Sequence, residues 1–504
     1  MKVRVMPKTD RLPGALYTAQ QVRELDRQSI ERFAIPGAEL MQRAGAAAFA
    51  ALRERWPEAQ RLCVLVGTGN NGGDGFVVAR LAQEAGLQVR VLQLGERGHI
   101  AGDALIQAQA WQAAGGEWRD FESLPRDCDL LVDAMLGTGL QRELKGEYLR
   151  AVEAINAHPA PVFSIDIPSG LDSDRGVVLG AAVRAQLTLS FIGLKRGMFT
   201  ADAVDCCGEI RFDALEVPAA VYASQILSAR RIDWRQQATR VRPRRRSAHK
   251  GHFGHVLVIG GDHGFGGAVR LTGEAAARAG AGLVSIATRK RHVAGILAAR
   301  PELMVHKAGR RHSGLEPLLQ RAGTLVLGPG LGTAAWGRRL FEPALACGRP
   351  LVLDADGLNL LAGQPGLRRD DWVLTPHPGE AARLLQVCVA EIQQDRFAAA
   401  AALQARYGGT VVLKGPGTLV AGPDSVPPAV CSGGNPGMAS GGMGDVLSGI
   451  VAAFLAQGWT PREAAELGVC LHAAAADSAA LAGGERGLLA GDLMPELRQL
   501  GNPT

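Results

Sequence analysis

Three segments in the first half of the chain set glycine beside Asp or Asn at the end of an apolar run. Residues 62–66 lead into Gly67-Thr68-Gly69-Asn70-Asn71-Gly72-Gly73-Asp74-Gly75, Asp133 precedes Leu136-Gly137-Thr138-Gly139-Leu140, and Asp166 opens Asp166-Ile167-Pro168-Ser169-Gly170-Leu171-Asp172. A glycine-rich strand-to-helix turn lets backbone N–H groups come close to a phosphate, helped by the helix N-terminus. The first segment lacks the lysine of a P-loop. Its amide oxygens and carboxylate suit a monovalent cation or ribose hydroxyls instead. Taken singly, Asp133 and Asp166 are ordinary loop caps. Three such loops at strand ends would converge on one crevice, because open α/β sheets bind ligands beyond the carboxyl ends of their strands.

The second half carries a different set. Asn435-Pro436-Gly437-Met438-Ala439-Ser440-Gly441-Gly442-Met443-Gly444-Asp445 runs into an apolar helical stretch. Small residues at a helix start expose successive N–H groups and form an anion hole for a phosphoryl group in transfer. Asp445 could then take the proton of an attacking hydroxyl, although an Asp in a first turn is by itself only a dipole partner. Upstream, Lys414-Gly415-Pro416-Gly417-Thr418 offers a cation and a small-residue hairpin for a nucleotide. Further strand-end loops are Gly328-Pro329-Gly330-Leu331-Gly332, Asp354-Ala355-Asp356-Gly357-Leu358-Asn359 and Thr375-Pro376-His377-Pro378-Gly379-Glu380. In the last, two prolines stiffen the loop around His377, which makes that histidine a candidate ligand.

Elements must position these loops. Thr18 with Gln21 fits a capping box, followed by Val22, Leu25, Ile30 and Phe33 at helical spacing. A second helix is predicted over about 39–56, strands over 62–66, 89–94, 130–132 and 162–165, and a helix over 75–85. Between about 222 and 249 the apolar pattern gives way to Arg240, Arg242, Arg244, Arg245 and Arg246, a stretch expected to be a solvated linker. A second series follows with strands at 255–259, 283–287, 325–327, 351–353 and 411–413, then helices at 439–457 and 461–481. Alternation of this kind predicts mainly parallel sheets covered on both faces. The expectation is two tandem α/β domains, residues 1–223 and 224–504.

Of the 504 residues, 47% are hydrophobic and 21% charged, as in a globular protein with true cores. The formal net charge is +6, but the densest basic run holds no aromatic residue, which argues against nucleic acid as a partner. Eight cysteines are scattered without a C-x-x-C, as for reduced thiols in the cytoplasm. No signal-peptide pattern or long apolar stretch suggests a membrane.

The set GTGNNGGDGF, DAMLGTGL, SIDIPSGLDSDRG and FIGLKRG, across about residues 16–222, resembles the NAD(P)H-hydrate epimerase domain. That resemblance implies a Rossmann-like α/β/α fold. It implies substrate contacts at Asn70, Asn71, Gly72, Gly73 and Asp74, and at Gly137, Thr138, Gly139, Leu140, Gln141, Arg142 and Glu143. It also implies potassium at Asn71, Asp133 and Ser169, with Asp166 as the acid/base. Residues of about 230–499, including HKGHFGHVLVIGGD, PEL, GPGLG, DADGLN, TPHPGE, KGPGT and GGMGD, resemble the ribokinase-like NAD(P)H-hydrate dehydratases. Here the resemblance implies that Ala268, Gly330 or Gly332, His377 and Asp445 contact the hydrated dinucleotide. Lys414, Gly415, Pro416, Gly417, Thr418 and Gly444 would contact ADP, which carries Mg2+. A small-molecule kinase is the alternative for this half, and a non-catalytic binding role for the first. A cytoplasmic homo-oligomer completes the expectation.

Overall fold

Alternate residues of the strand Arg61–Val66 are buried in two separate apolar clusters. Leu62, Val64 and Val66 pack with the helices Gly37–Arg55 and Asn70–Glu84. Cys63 and Leu65 pack on the other face with Val152 and Ile155 of Gly146–Ala157. A strand covered on both faces defines a three-layer α/β/α arrangement. This computed structural model describes residues 12–308, 314–423 and 426–502. The chain divides into two compact units, Met1–Arg230 and Arg231–Thr504.

Among the described residues of the first unit one sheet holds seven strands, in the order Trp118–Asp120, Gln88–Gln93, Arg61–Val66, Leu130–Ala134, Val162–Ile165, Leu187–Phe191 and Glu209–Asp213. All neighbours are parallel. The division falls seven residues beyond the expected 223/224 boundary, because Ala229 and Arg230 pair antiparallel with Leu16 and Ala15. The capping box of Thr18 and Gln21 opens the helix Ala19–Glu31, which stops before Phe33.

One predicted element is corrected. The helix expected at 75–85 starts at Asn70, so Asn70 to Asp74 form its first turn and are not a loop before it. The glycines are demanded by proximity: a Cβ on Gly72 would stand 2.1 Å from the Gly67 carbonyl oxygen. The helix lies too close to the strand end for any side chain there.

Among the described residues of the second unit nine strands run in the order Ala429–Cys431, Thr418–Ala421, Thr410–Leu413, Trp372–Leu374, Leu351–Leu353, Thr324–Leu327, His255–Ile259, Leu283–Thr288 and Met304–Lys307. The first two are antiparallel additions to a parallel sheet. Val256, Val258, Val326, Val352, Val373 and Val412 form one core with the helices Gly266–Arg278, Met443–Ala456 and Pro461–Gly483. The helix predicted from 439 begins at Met443, since a 3-10 turn at Pro436–Met438 precedes it. The arginine run is solvated as expected at Arg242, Arg244, Arg245 and Arg246, which are exposed, while two of its members also make contacts. Arg240 pairs with Glu463 and lies over Trp459, and Arg244 lies 3.6 Å over Phe253 while donating to the Gly280 carbonyl. Stacking and bonding tether these two, and Arg244 remains exposed.

All eight cysteines are free thiols. Among the described residues no helix is long and apolar enough to cross a membrane.

Candidate active sites of the two units

Leu130–Ala134, Val162–Ile165 and Leu187–Phe191 are parallel neighbours, so the segments after them emerge at one edge of the first sheet. Asp166 follows the middle strand with φ of +68°, a left-handed conformation that Asp tolerates better than most residues and that clusters at functional sites. Its Oδ1 accepts a hydrogen bond from Lys195 Nζ, whose wholly buried side chain also donates to Ser190 Oγ at 2.9 Å. Asp166 Oδ2 lies 3.5 Å from where a Cβ on Gly137 would stand, beside Asn71. The structure therefore brings Asn71, Gly137 and Asp166 together.

Asp133 is fully buried and accepts from Ser169 Oγ at 2.6 Å, Ser169 N at 2.8 Å and Ser164 Oγ at 2.9 Å. Burial pushes its carboxyl up against the pull of those bonds. Asn71 Nδ2 donates to the Leu136 carbonyl at 3.0 Å, but Asn71 Oδ1 is buried with no hydrogen-bond partner among the described residues. Leu136 N donates to Ser169 Oγ at 2.9 Å, which closes the group. Among the described residues Asp133 has no ion-pair partner. An unpartnered buried amide oxygen and a buried carboxylate without a counter-ion, joined through Leu136 and Ser169, are oxygen ligands of the kind a hard cation takes.

Asp74 is enclosed, and its carboxyl is pushed well above the usual range by burial and then by Asp166 and Asp26. Asp26, on the helix Ala19–Glu31, is raised by burial and by Asp103 and Asp166. Asn70 starts its helix exposed. Gly73 packs on Met41. Thr138 accepts from Arg23 Nη1 at 3.4 Å. Leu140 packs into the cluster that holds Cys63 and Leu65, so it faces core. Gly139, Gln141, Arg142 and Glu143 are exposed on the outer limb of that loop, and no hydrogen bond or ion pair seen there ties them to Asp166.

The second site is linked loop by loop. A Cβ on Gly328 would stand 1.8 Å from the Asp354 carbonyl oxygen, at a φ of +130°, so only glycine lets these two strand ends meet. Asp262 N donates to Gly330 O at 2.6 Å and Gly332 N to Asp356 Oδ2 at 2.8 Å. The first pair fastens the loop before Ala268, which lies in the opening turn of Gly266–Arg278. Lys414 Nζ donates to Asp354 Oδ1 at 2.9 Å and lies 3.7 Å from Glu380. Ser448 Oγ donates to Asp354 Oδ2 at 2.7 Å. His377 caps the helix Pro378–Leu385, with Nδ1 accepting from Gly379 N and the ring more than half exposed. Arg396, buried, donates to the carbonyls of Leu413 and Lys414 and braces the loop of Gly415, Pro416 and Gly417. Thr418 Oγ1 closes that loop on Gly415 O at 3.0 Å.

Asp445 stands in the first turn of Met443–Ala456, one residue after Gly444. Its carboxyl is raised to about 7, first by burial and then by Asp354, with Lys414 opposing. A base that titrates near neutrality is matched to proton transfer at physiological pH. Burial opposes the charges of Asp354 and Lys414 too, but their mutual attraction keeps the carboxyl low and the ammonium high.

Sequence reasoning assigned no role to Lys195, Ser190, Asp26, Asp354, Glu380 or Ser448. Three of these lie inside quoted motifs, FIGLKRG, DADGLN and TPHPGE, and charged residues at strand ends in a glycine-rich segment were the available signal.

Residues 256–499 match the family described as NAD(P)H-hydrate dehydratase, and residues 37–197 the family described as YjeF-related protein N-terminus. The chain is 49% identical over 489 residues to a bifunctional NAD(P)H-hydrate repair enzyme of Coxiella burnetii, covering 97% of this chain and 99% of that one. It is 44% identical over 494 residues to the enzyme of the same description from Escherichia coli, covering 98% and 95%. Among solved structures, a ribokinase-like superfamily protein of Enterococcus faecalis matches with a TM-score of 0.51 at 30% identity, covering 55% of this chain and 96% of its own.

Proposed function

The chain belongs to the family of bifunctional NAD(P)H-hydrate repair enzymes, and from that premise we propose that its two halves act in succession on the hydrated nicotinamide ring. Residues 1–223 exchange the R and S hydrates of NADH or NADPH. Residues 224–504 dehydrate the S hydrate with ADP as phosphoryl donor, giving AMP and phosphate. A stereospecific dehydratase consumes one epimer only, so an epimerase on the same chain makes the other usable.

In the first half Asp166 assists the departure of the C6 hydroxyl, driven by the ring nitrogen's lone pair, and its return to the opposite face. Lys195 fixes one carboxylate oxygen and leaves the other for the substrate. Asn71, Asp133 and Ser169 would hold potassium. The unpartnered Asn71 Oδ1 and the buried charge of Asp133 support that choice. When bound, the cation neutralises Asp133 and steadies the loops around the dinucleotide.

In the second half Asp445 takes the proton of the C6 hydroxyl as its oxygen attacks the terminal phosphoryl group. The ring nitrogen then expels phosphate, and loss of a C5 proton restores the double bond. Gly444 offers a backbone N–H to the moving phosphoryl oxygens, and Lys414 a positive charge beside them. Mg2+ arriving on the nucleotide would neutralise phosphate charge. The segments around Ala268, Gly330, Gly332 and His377 take the dinucleotide; Gly415, Pro416, Gly417 and Thr418 take the nucleotide. A homo-oligomer in the cytoplasm fits this role.

The observation that carries the reading is the raised carboxyl of Asp445 beside Gly444 and Lys414, at a helix start built of small residues. The test follows recovery of reduced-nicotinamide absorbance from an epimer mixture of hydrated NADH with ADP, ATP or neither. D166N should recover only the S fraction, and D445N nothing. A stable phosphorylated product without free phosphate would replace the dehydratase with a kinase.

A further inference from the structure

Asp354 has been given no contact with substrate or nucleotide, yet it is 1% exposed and both carboxylate oxygens are committed. Oδ1 accepts from Lys414 Nζ at 2.9 Å, and Oδ2 accepts from Ser448 Oγ at 2.7 Å. Ser448 lies one turn beyond Asp445 on Met443–Ala456. One buried carboxylate therefore joins the end of Leu351–Leu353, the residue after Thr410–Leu413 and the first turns of the helix bearing Asp445. The joint is directly under the anion hole. A Cβ on Gly444 would stand 3.3 Å from Lys414 Nζ and 3.6 Å from Asp354 Oδ2.

We propose that Asp354 is a positioning residue of the dehydratase site, holding the Lys414 ammonium beneath Gly444 and, together with that cation, setting the charge state in which Asp445 meets the substrate hydroxyl. The inference rests on the dehydratase reading for its chemistry, but not for its geometry. The chemical need is specific. A general base at a phosphoryl-transfer centre must be ionised to accept a proton, while the cation that steadies the phosphoryl group must not form its own ion pair with that base. Asp354 meets the second demand by taking up Lys414 itself, and its own charge, which raises Asp445, keeps that base poised near neutrality instead of permanently ionised. Glu380, whose Oε2 accepts the His377 N–H at 2.8 Å, is the second acid facing Lys414. His472 faces Lys414 from Pro461–Gly483, buried and with Nε2 unpartnered among the described residues. Burial and then Lys414 push its imidazole down to about 4, so it adds no charge at neutral pH. The helix Gly266–Arg278, packed against that of Asp445, brings Arg270 and Glu274, which pair with each other at 3.2 Å, Glu274 also pairing with Arg300.

Two charges of opposite sign on one joint give a test that loosened packing cannot imitate. The Asp445 carboxyl is titrated directly, by the carbon-13 shift of labelled aspartate in the full-length protein, with D445N to identify its signal. D354N removes the charge that raises Asp445 and should move the midpoint about one pH unit lower. K414M removes the charge that lowers it and should move the midpoint about one unit higher. S448A deletes a hydrogen bond from the same joint and no charge, and should leave the midpoint in place. In turnover, D354N should lower kcat at least tenfold with a smaller change in KM for ADP. Circular dichroism identifies folded variants, and either charge variant alone tests its own sign. Shifts of both charge variants in one direction, or no shift in a folded one, would overturn the proposal. Titration needs no turnover, so a wild-type protein inactive on the hydrate would sink the dehydratase reading and leave this result readable.

Discussion

Replacing Asp445 by asparagine should make the protein more stable as it becomes inactive, and the gain should depend on pH. The carboxyl titrates at about 7 in the folded chain against 3.8 as the ordinary value. Between these values the folded state holds a proton that the unfolded state has released, so stability falls as pH rises from about 4 to 7 and is then level. Roughly three pH units at about 1.4 kcal/mol each set a ceiling of about 4 kcal/mol. Asp445 is only half-buried, so solvent screening reduces this to about 2 kcal/mol. Asparagine keeps the shape and removes the penalty. The assay is thermal unfolding of wild type and D445N at pH 4 and pH 8, read on the transition that ADP shifts upward, which belongs to the nucleotide-binding unit. At pH 8 the variant should melt about 4–8 °C higher, and at pH 4 the two should coincide. Equal gains at both pH values would mean that asparagine merely packs better. No gain at pH 8 would mean that Asp445 is ionised at little cost, and the tuned-base argument would fail.

Lys195→Met should abolish exchange of the two hydrates by about 100-fold or more while dehydration of the pure S hydrate continues, as measured by absorbance recovery from separated epimers. Asn71→Leu removes the lone buried amide oxygen. Epimerase activity should then become insensitive to exchange of potassium for a larger organic cation, whereas the wild type responds. Gly72→Ala drives a Cβ to 2.1 Å from the Gly67 carbonyl oxygen, so the first unit should lose about 3 kcal/mol or more in urea unfolding. Unchanged unfolding would mean that the helix can back away from the strand.

The glycine-rich strand ends and most of the alternating elements were legible in the sequence, because apolar runs flanked by small residues are local features. Partnerships were not. Lys195 and Asp166 are 29 residues apart, and nothing local says that Leu187–Phe191 follows Val162–Ile165 in the sheet. Asp354 and Lys414 are 60 residues apart and meet because Leu351–Leu353 and Thr410–Leu413 flank the same strand, Trp372–Leu374. The early start of the helix Asn70–Glu84 was hidden for a different reason. Consecutive Asn and Gly residues are poor helix formers, and their helical turn is tied to close tertiary packing, Gly72 against Gly67 and Gly73 against Met41, which no local pattern announces.

The two aspartates show how one fold class can carry two kinds of chemistry. Both stand at the carboxyl edge of a parallel sheet, so position does not separate them. Their partners do. Asp166 bonds directly to a wholly buried lysine, which fixes its orientation and confines its free oxygen to the space by Gly137 and Asn71. Such a carboxylate is suited to holding a fixed posture while a hydroxyl leaves and returns. Among the described residues Asp445 has no such bond, because Asp354 has taken the nearby ammonium, and it is left with burial and a neighbouring negative charge. A carboxyl in that setting changes its charge easily near neutral pH, which is what a group that must accept a proton during phosphoryl transfer requires. Moving the lysine from the neighbour to the base would convert the second arrangement into the first. K414M and D354N should therefore displace the Asp445 titration to opposite sides.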